Sequence, residues 1–250
     1  MTNSASSIQQ APVTGDHEDP GGWSGGLVIA VDGPSGSGKS SAARGVARGL
    51  GLRYLDTGAQ YRALTWWLLT EDIDPADPAV VLANFRRARI DSGTDPDAPQ
   101  IAVNGQDVAG PIRTRQVSNT VSAVASLPPV REYLIGLQRE IIAAAVSSGP
   151  GIVAEGRDIG TVVAPDATVK VFLTASESAR AARRSAELAA DPVVTAELTQ
   201  REQAARDRRD AAQSAVAGDA VVIDTTALGL DEVIAEIVGL ARSRRAARRD

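Results

Sequence analysis

The chain has 250 residues, a formal net charge of −5, 43% hydrophobic residues and only 3% aromatic ones. With no cysteine and a single histidine, His17, it offers no disulfides, zinc–thiolate sites, thiol nucleophiles or histidine-based acid–base pair. No apolar run is long enough to cross a bilayer and the balance is acidic, so neither a membrane nor a nucleic acid is expected as a partner.

Residues 1–26 mix Ser, Gly, Pro, Gln and acids without periodicity and read as a disordered arm. They lack the basic start and apolar stretch of a secretory signal, which points to a cytoplasmic protein. Leu27-Val28-Ile29-Ala30-Val31 is the first candidate strand, and a helical pattern runs over 41–47. Between them lies Gly33-Pro34-Ser35-Gly36-Ser37-Gly38-Lys39-Ser40. Strand, glycine-rich turn and helix together make a phosphate cradle, with main-chain N–H groups and the helix's positive end facing the anion. Lys39 is placed to reach the β- and γ-phosphates, and the Ser40 hydroxyl to face a magnesium ion.

A short strand is expected over 52–55 and a helix over 59–69; Pro75 and Pro78 then open a helix over 79–88. From there the pattern alternates as half-buried strands do, in Arg89-Ile90-Asp91 and Gln100-Ile101-Ala102-Val103. Asn104-Gly105 is a strong hairpin dipeptide with Gln106-Asp107-Val108 as the return, so an antiparallel insert is expected over about 86–112. Helices follow over 113–125 and 129–147, strands over 152–154 and 168–173, and helices over 176–190 and 193–212. A strand over 220–223 and a helix over 230–246 close the chain. The expected fold is α/β: a P-loop three-layer fold, with a five-stranded parallel sheet flanked by helices and a small antiparallel β insert, over 27–241. The basic tail, 242–250, complements a helix C-terminus, a nucleic-acid tail being the sharper alternative.

A triphosphate loop serves a GTPase switch, a motor ATPase or a small-molecule kinase. The Asn-Lys-x-Asp segment that reads guanine is absent, and Ile152-Val153-Ala154-Glu155 meets the acidic strand end of a motor only loosely. Arginines instead recur beside turns: Arg62 after Asp56-Thr57-Gly58, Arg131 after Pro128-Pro129, Arg157 in Glu155-Gly156-Arg157-Asp158, and Arg180, Arg183 and Arg184 on one helix face. Each alone fits a solvated face; together, at βα junctions, they form a cage for two polyanions.

Several stretches resemble the bacterial cytidylate kinase family. They are the loop at 33–40, Leu55-Asp56-Thr57-Gly58-Ala59-Gln60-Tyr61-Arg62, Leu127-Pro128-Pro129-Val130-Arg131 and Glu155-Gly156-Arg157-Asp158-Ile159-Gly160-Thr161-Val162-Val163. Pro165-Asp166-Ala167 and Asp224-Thr225-Thr226 add to the likeness, which covers about 27–240 in the family's order. It implies phosphoryl transfer from ATP to CMP or dCMP by a monomer using Mg2+. ATP would sit on residues 33–41, including Ser41. The acceptor would be held by Thr57, Arg62, Ser122, Arg131, Arg157, Asp158, Arg206 and Asp210, and the transferring charge by Lys39, Arg157 and the lid residues Arg183 and Arg184. One stretch departs from the family pattern: Gln213 stands where an arginine is expected, and the Pro-Leu that usually follows is missing. Another small acceptor, such as UMP or a hydroxyl metabolite, and a nucleotide-binding module without transfer activity are the competing readings.

Overall fold

A computed structural model describes residues 26–187, 196–210 and 214–246. Residues 1–25 of the expected arm, Gln213 and the last four residues of the basic tail lie outside the described residues. Five parallel strands make the main sheet: β1 (Leu27–Asp32), β2 (Arg53–Asp56), β6 (Gly151–Gly156), β7 (Val169–Thr174) and β8 (Val221–Asp224), in the order β2-β6-β1-β7-β8. Every residue of β6 is buried, as a central strand covered on both faces demands. Register places Glu155 of β6 between Val31 of β1 and Asp56 of β2, and sets Asp32 opposite Gly156. The carboxyl ends of three strands therefore converge on one short edge.

Alternation along the strands divides the core. Ile29, Val31 and Val153 face α1 (Lys39–Leu50) and α8 (Leu230–Ala246), packing with Val46, Leu50, Val233 and Ile237. Ala30, Ile152 and Ala154 face the other way, against Ile142 and Ala145 of α5 (Pro128–Ser148). The result is three layers, helix–sheet–helix. Among the described residues no helix is long and apolar enough to cross a membrane.

A separate core supports the insert. β3 (Ile90–Ser92), β4 (Ile101–Val103) and β5 (Gln106–Asp107) form an antiparallel sheet, turned by Asn104 and Gly105 with φ of 52° and 81°. Positive φ at both central residues is the hairpin geometry that the Asn-Gly pair favours. Ile90, Ile101 and Val103 pack on Leu64, Trp67 and Leu68 of α2 (Thr57–Thr70), on Phe85, and on Leu134 of α5. The segment after β3 meets the free edge of the main sheet, where the Tyr54 N–H donates to Thr94 O at 2.9 Å.

Boundaries shift where capping decides them. α2 begins at Thr57, two residues before the expected start, because the Asp56 side chain accepts the Ala59 N–H at 2.9 Å. The helix expected over 79–88 is α3 (Pro78–Asn84) followed by a tighter turn, Phe85–Arg87. A similar turn, Pro111–Arg113, precedes α4 (Arg115–Ala125). The wide turn Ile159–Val163 after β6 has no counterpart in the sequence expectations. The two Ala/Arg/Glu-rich helices are α6 (Glu177–Glu187) and α7 (Ala196–Asp210).

Candidate active site

The loop between β1 and α1 is folded back on itself. Gly33 has a φ of 146°, and a Cβ there would lie 2.1 Å from Leu173 O, so only glycine fits between β1 and β7. Ser37 Oγ and Lys39 Nζ both donate to Pro34 O, at 3.0 and 2.7 Å. The N-cap of α1 is Gly38, which brings no capping side chain. The first N–H groups of the helix are thus left to an anion, at the end where its dipole is positive.

Beneath the loop lies Glu155, the penultimate residue of β6. Its carboxylate accepts from Ser40 Oγ at 2.9 Å and from the Tyr54 hydroxyl, and its main-chain oxygen accepts from Thr57 Oγ1 at 2.7 Å. Burial pulls Lys39 below the ordinary lysine value, helped by Arg157, and burial raises Glu155 above the usual carboxylate range, helped by Asp56. Burial and Glu155 together push the Tyr54 hydroxyl up, so it stays protonated and donates.

Opposite the loop stand two ion-pair groups. Arg131, in the first turn of α5, pairs with Asp158 just beyond β6, where both side chains are largely buried. Tyr61 lies near this pair, and burial pushes its hydroxyl up to about 12. Asp210, at the end of α7, accepts from Ser122 Oγ of α4 at 2.9 Å and lies 3.5 Å from the Nε atoms of both Arg157 and Arg206. Arg157 also spans the cleft, its Nη1 donating to Gly33 O at 3.0 Å.

The structure thus gathers Lys39, Ser40, Thr57, Ser122, Arg131, Arg157, Asp158, Arg206 and Asp210 around the carboxyl ends of β1, β2 and β6. Arg183 of α6 donates to the Thr225 side chain and main chain at 2.9 and 2.6 Å, and its guanidinium lies beside Gly38. The Arg184 side chain lies outside what the structure describes. Arg62 reaches sideways, donating to Ile112 O at 3.2 Å and Ser118 Oγ at 2.8 Å, which ties α2 to α4.

Four residues had no individual role from sequence, although Arg180 already counted in the arginine cage. Arg180 donates to Ser35 O at 3.1 Å and pairs with Asp207, bringing α6 and α7 to the loop. Its three-residue spacing from Arg183 was the available signal. Thr225, only 2% exposed, donates to Ser37 O at 3.1 Å, and Thr225 belongs to a segment singled out by resemblance alone. Glu155 was visible as an acidic strand end, and its relation to Ser40 was not. Asp32 gave no signal, since nothing local marks a strand-end aspartate as reaching another turn.

Comparison with known proteins shows the family. The family profile for cytidylate kinase matches residues 29–243. A cytidylate kinase of Streptomyces coelicolor is 55% identical over 88% of this chain and 94% of its own length. That of Streptomyces avermitilis is 52% identical over 89% and 95%, and that of Mycobacterium avium 47% identical over 87% and 96%. With a triphosphate loop facing an arginine–carboxylate cleft and a match over most of its length, the chain belongs to the cytidylate kinase family.

Proposed function

We propose that this enzyme moves the γ-phosphoryl group of ATP to the phosphate of CMP, and of dCMP, releasing ADP and CDP or dCDP. The observation that carries the reading is the Arg157–Gly33 hydrogen bond at 3.0 Å. It sets the arginine assigned to the acceptor phosphate against the first glycine of the triphosphate loop, so two polyanions would meet end to end. The acceptor oxygen is already a nucleophile, and no general base is needed; alignment, charge neutralisation and exclusion of water remain.

Each part of the site has a task in this reading. Residues 33–41 and Lys39 hold the donor, while Arg157, Arg183 and Arg184 neutralise the transferring group. Asp158 accepts from the cytosine amino group, which uracil lacks; Ser122 and Arg131 line the base beside it, and Arg131 holds that carboxylate in place. Thr57, Arg62, Arg206 and Asp210 hold the ribose and phosphate, and the insert over about 86–112 covers the acceptor. Ser40 Oγ and the Glu155 carboxylate, 2.9 Å apart, are hard oxygen donors of the kind that suit Mg2+, which takes few protein ligands when it also binds phosphates. When bound, Mg2+ would supply charge neutralisation for the triphosphate.

An ADP-release assay with CMP, dCMP, UMP and AMP as acceptors tests the reading. Turnover is expected with CMP and dCMP and much less with UMP. Strong turnover only with another acceptor, or tight binding of ATP and CMP without transfer, overturns it.

A further inference from the structure

Asp32 poses a physical puzzle. It is the last residue of β1 and directly precedes Gly33, yet it is only 6% exposed. A carboxylate buried beside a cradle for polyphosphate carries charge of the ligand's own sign. Its hydrogen bonds point elsewhere. Oδ1 accepts the Ile159 N–H and Oδ2 the Gly160 N–H, each at 2.8 Å. Those residues open the wide turn that follows Arg157 and Asp158.

We propose that Asp32 is a positioning residue that locks the acceptor-side turn to the donor loop and so sets the alignment of the two phosphates. The inference rests on the phosphoryl-transfer reading above. Two observations support it. The tie is made in both directions, since Asp32 reaches across to the turn while Arg157 reaches back to Gly33 O. The sheet reinforces it, because Asp32 and Gly156 are direct partners in the β1–β6 register. Together these bonds join two residues of the donor segment to four of the acceptor segment. Gly160 lies in ordinary contact range of the same carboxylate, a Cβ there falling 3.4 Å from Asp32 Oδ2. Burial raises the Asp32 carboxyl and the two N–H bonds oppose that shift, with Asp158 and Lys39 as its charged neighbours.

A purely structural aspartate and a positioning one differ in what Asp32→Asn disturbs. The variant keeps the shape and turns an amide NH2 against one of the two N–H donors. Loosening the acceptor turn while leaving the loop intact is expected to change the Kd of a non-hydrolysable ATP analogue by less than about 3-fold. Over the same change kcat for CMP should fall by about 10- to 100-fold, with a higher KM for CMP, the scale of an ångström-sized misalignment. Hydrolysis of ATP by water, which needs no acceptor turn, should persist. Asp32→Ser, which keeps a small polar side chain but withdraws both carboxylate acceptors from the turn, gives a loss in the same direction and serves if the Asn variant does not fold. Unchanged kcat per folded molecule in the variant measured, or loss of ATP-analogue affinity in step with kcat, overturns the proposal. The unmodified enzyme is assayed alongside: if it fails to phosphorylate CMP, the functional reading fails and this inference with it; if it succeeds, only the inference is at stake.

Discussion

The donor and acceptor sides of the cleft are built in different ways. On the donor side one continuous segment, 33–41, supplies main-chain N–H groups, one lysine and one hydroxyl, set by a strand before and a helix after. On the proposed acceptor side, Thr57, Ser122, Arg131, Arg157, Asp158, Arg206 and Asp210 come from α2, α4, α5, the end of β6 and α7. Their charges are held in pairs, Arg131 with Asp158 and Asp210 between Arg157 and Arg206. Main chain recognises a phosphate whatever it is attached to, whereas paired side chains are oriented and can choose a base. The contrast teaches that generality resides in a contiguous loop and selectivity in a packed assembly.

Removing the donor lysine should have the largest effect. Lys39→Ala is expected to slow turnover by about 10²–10³-fold, roughly 3–4 kcal/mol of barrier, as for loss of one preorganised donor at a developing charge. Near-normal turnover in steady-state kinetics would take the lysine out of the donor site. On the acceptor side, Asp158→Ala should instead erode choice: discrimination between CMP and UMP falls by about 1–3 kcal/mol, the worth of a base-specific contact, while ATP affinity holds. An unchanged CMP-to-UMP ratio of kcat/KM would remove Asp158 from base reading.

Glu155 sharpens the comparison through pH. Its folded carboxyl titrates above the usual range, so the folded chain keeps a proton that the unfolded chain has released. The sign follows: this group's contribution is fully present at acidic pH, below the ordinary carboxylate range, and is lost as pH rises through the folded value. Glu155→Gln, which mimics the protonated form, should therefore gain stability relative to the parent between mildly acidic and mildly alkaline pH, read as the difference in melting temperature. A parallel pH dependence in both proteins would contradict the assignment. Ser122→Ala removes one hydrogen bond to Asp210 and should cost about 1 kcal/mol, seen mainly as a higher KM for CMP. The smallest effect belongs to the exposed Arg48–Asp97 pair, which links α1 to the insert's loop: Arg48→Ala should change stability by about 0–1 kcal/mol. A larger change in denaturant midpoint would show that donor helix and insert are more tightly joined than this exposed pair suggests.

The five parallel strands, the Asn-Gly hairpin and the phosphate loop were legible because their signals are local. An apolar β-branched run, a dipeptide with positive φ and a glycine-rich turn each act within a few residues. Helix α2 shows where local reading falls short: its start at Thr57 depends on the Asp56 side chain swinging back to cap it. The wide turn at 159–163 was illegible for a stronger reason, since its first N–H groups are satisfied by Asp32, 127 and 128 residues away in sequence.

Residue type and spacing alone pointed to a triphosphate cradle after β1, left no thiol and a single histidine for chemistry, and placed an antiparallel insert in an α/β chain. Resemblance named the acceptor residues without arranging them. Tertiary structure decided which of them meet: Arg157 against Gly33, Ser122 and Arg206 on Asp210, Arg131 on Asp158, Arg180 at the loop, and Arg62 turned toward α4. A loop that binds through its own main chain carries its geometry in contiguous residues. A cleft of paired side chains exists only once the sheet register and helix packing have brought distant segments within hydrogen-bond reach.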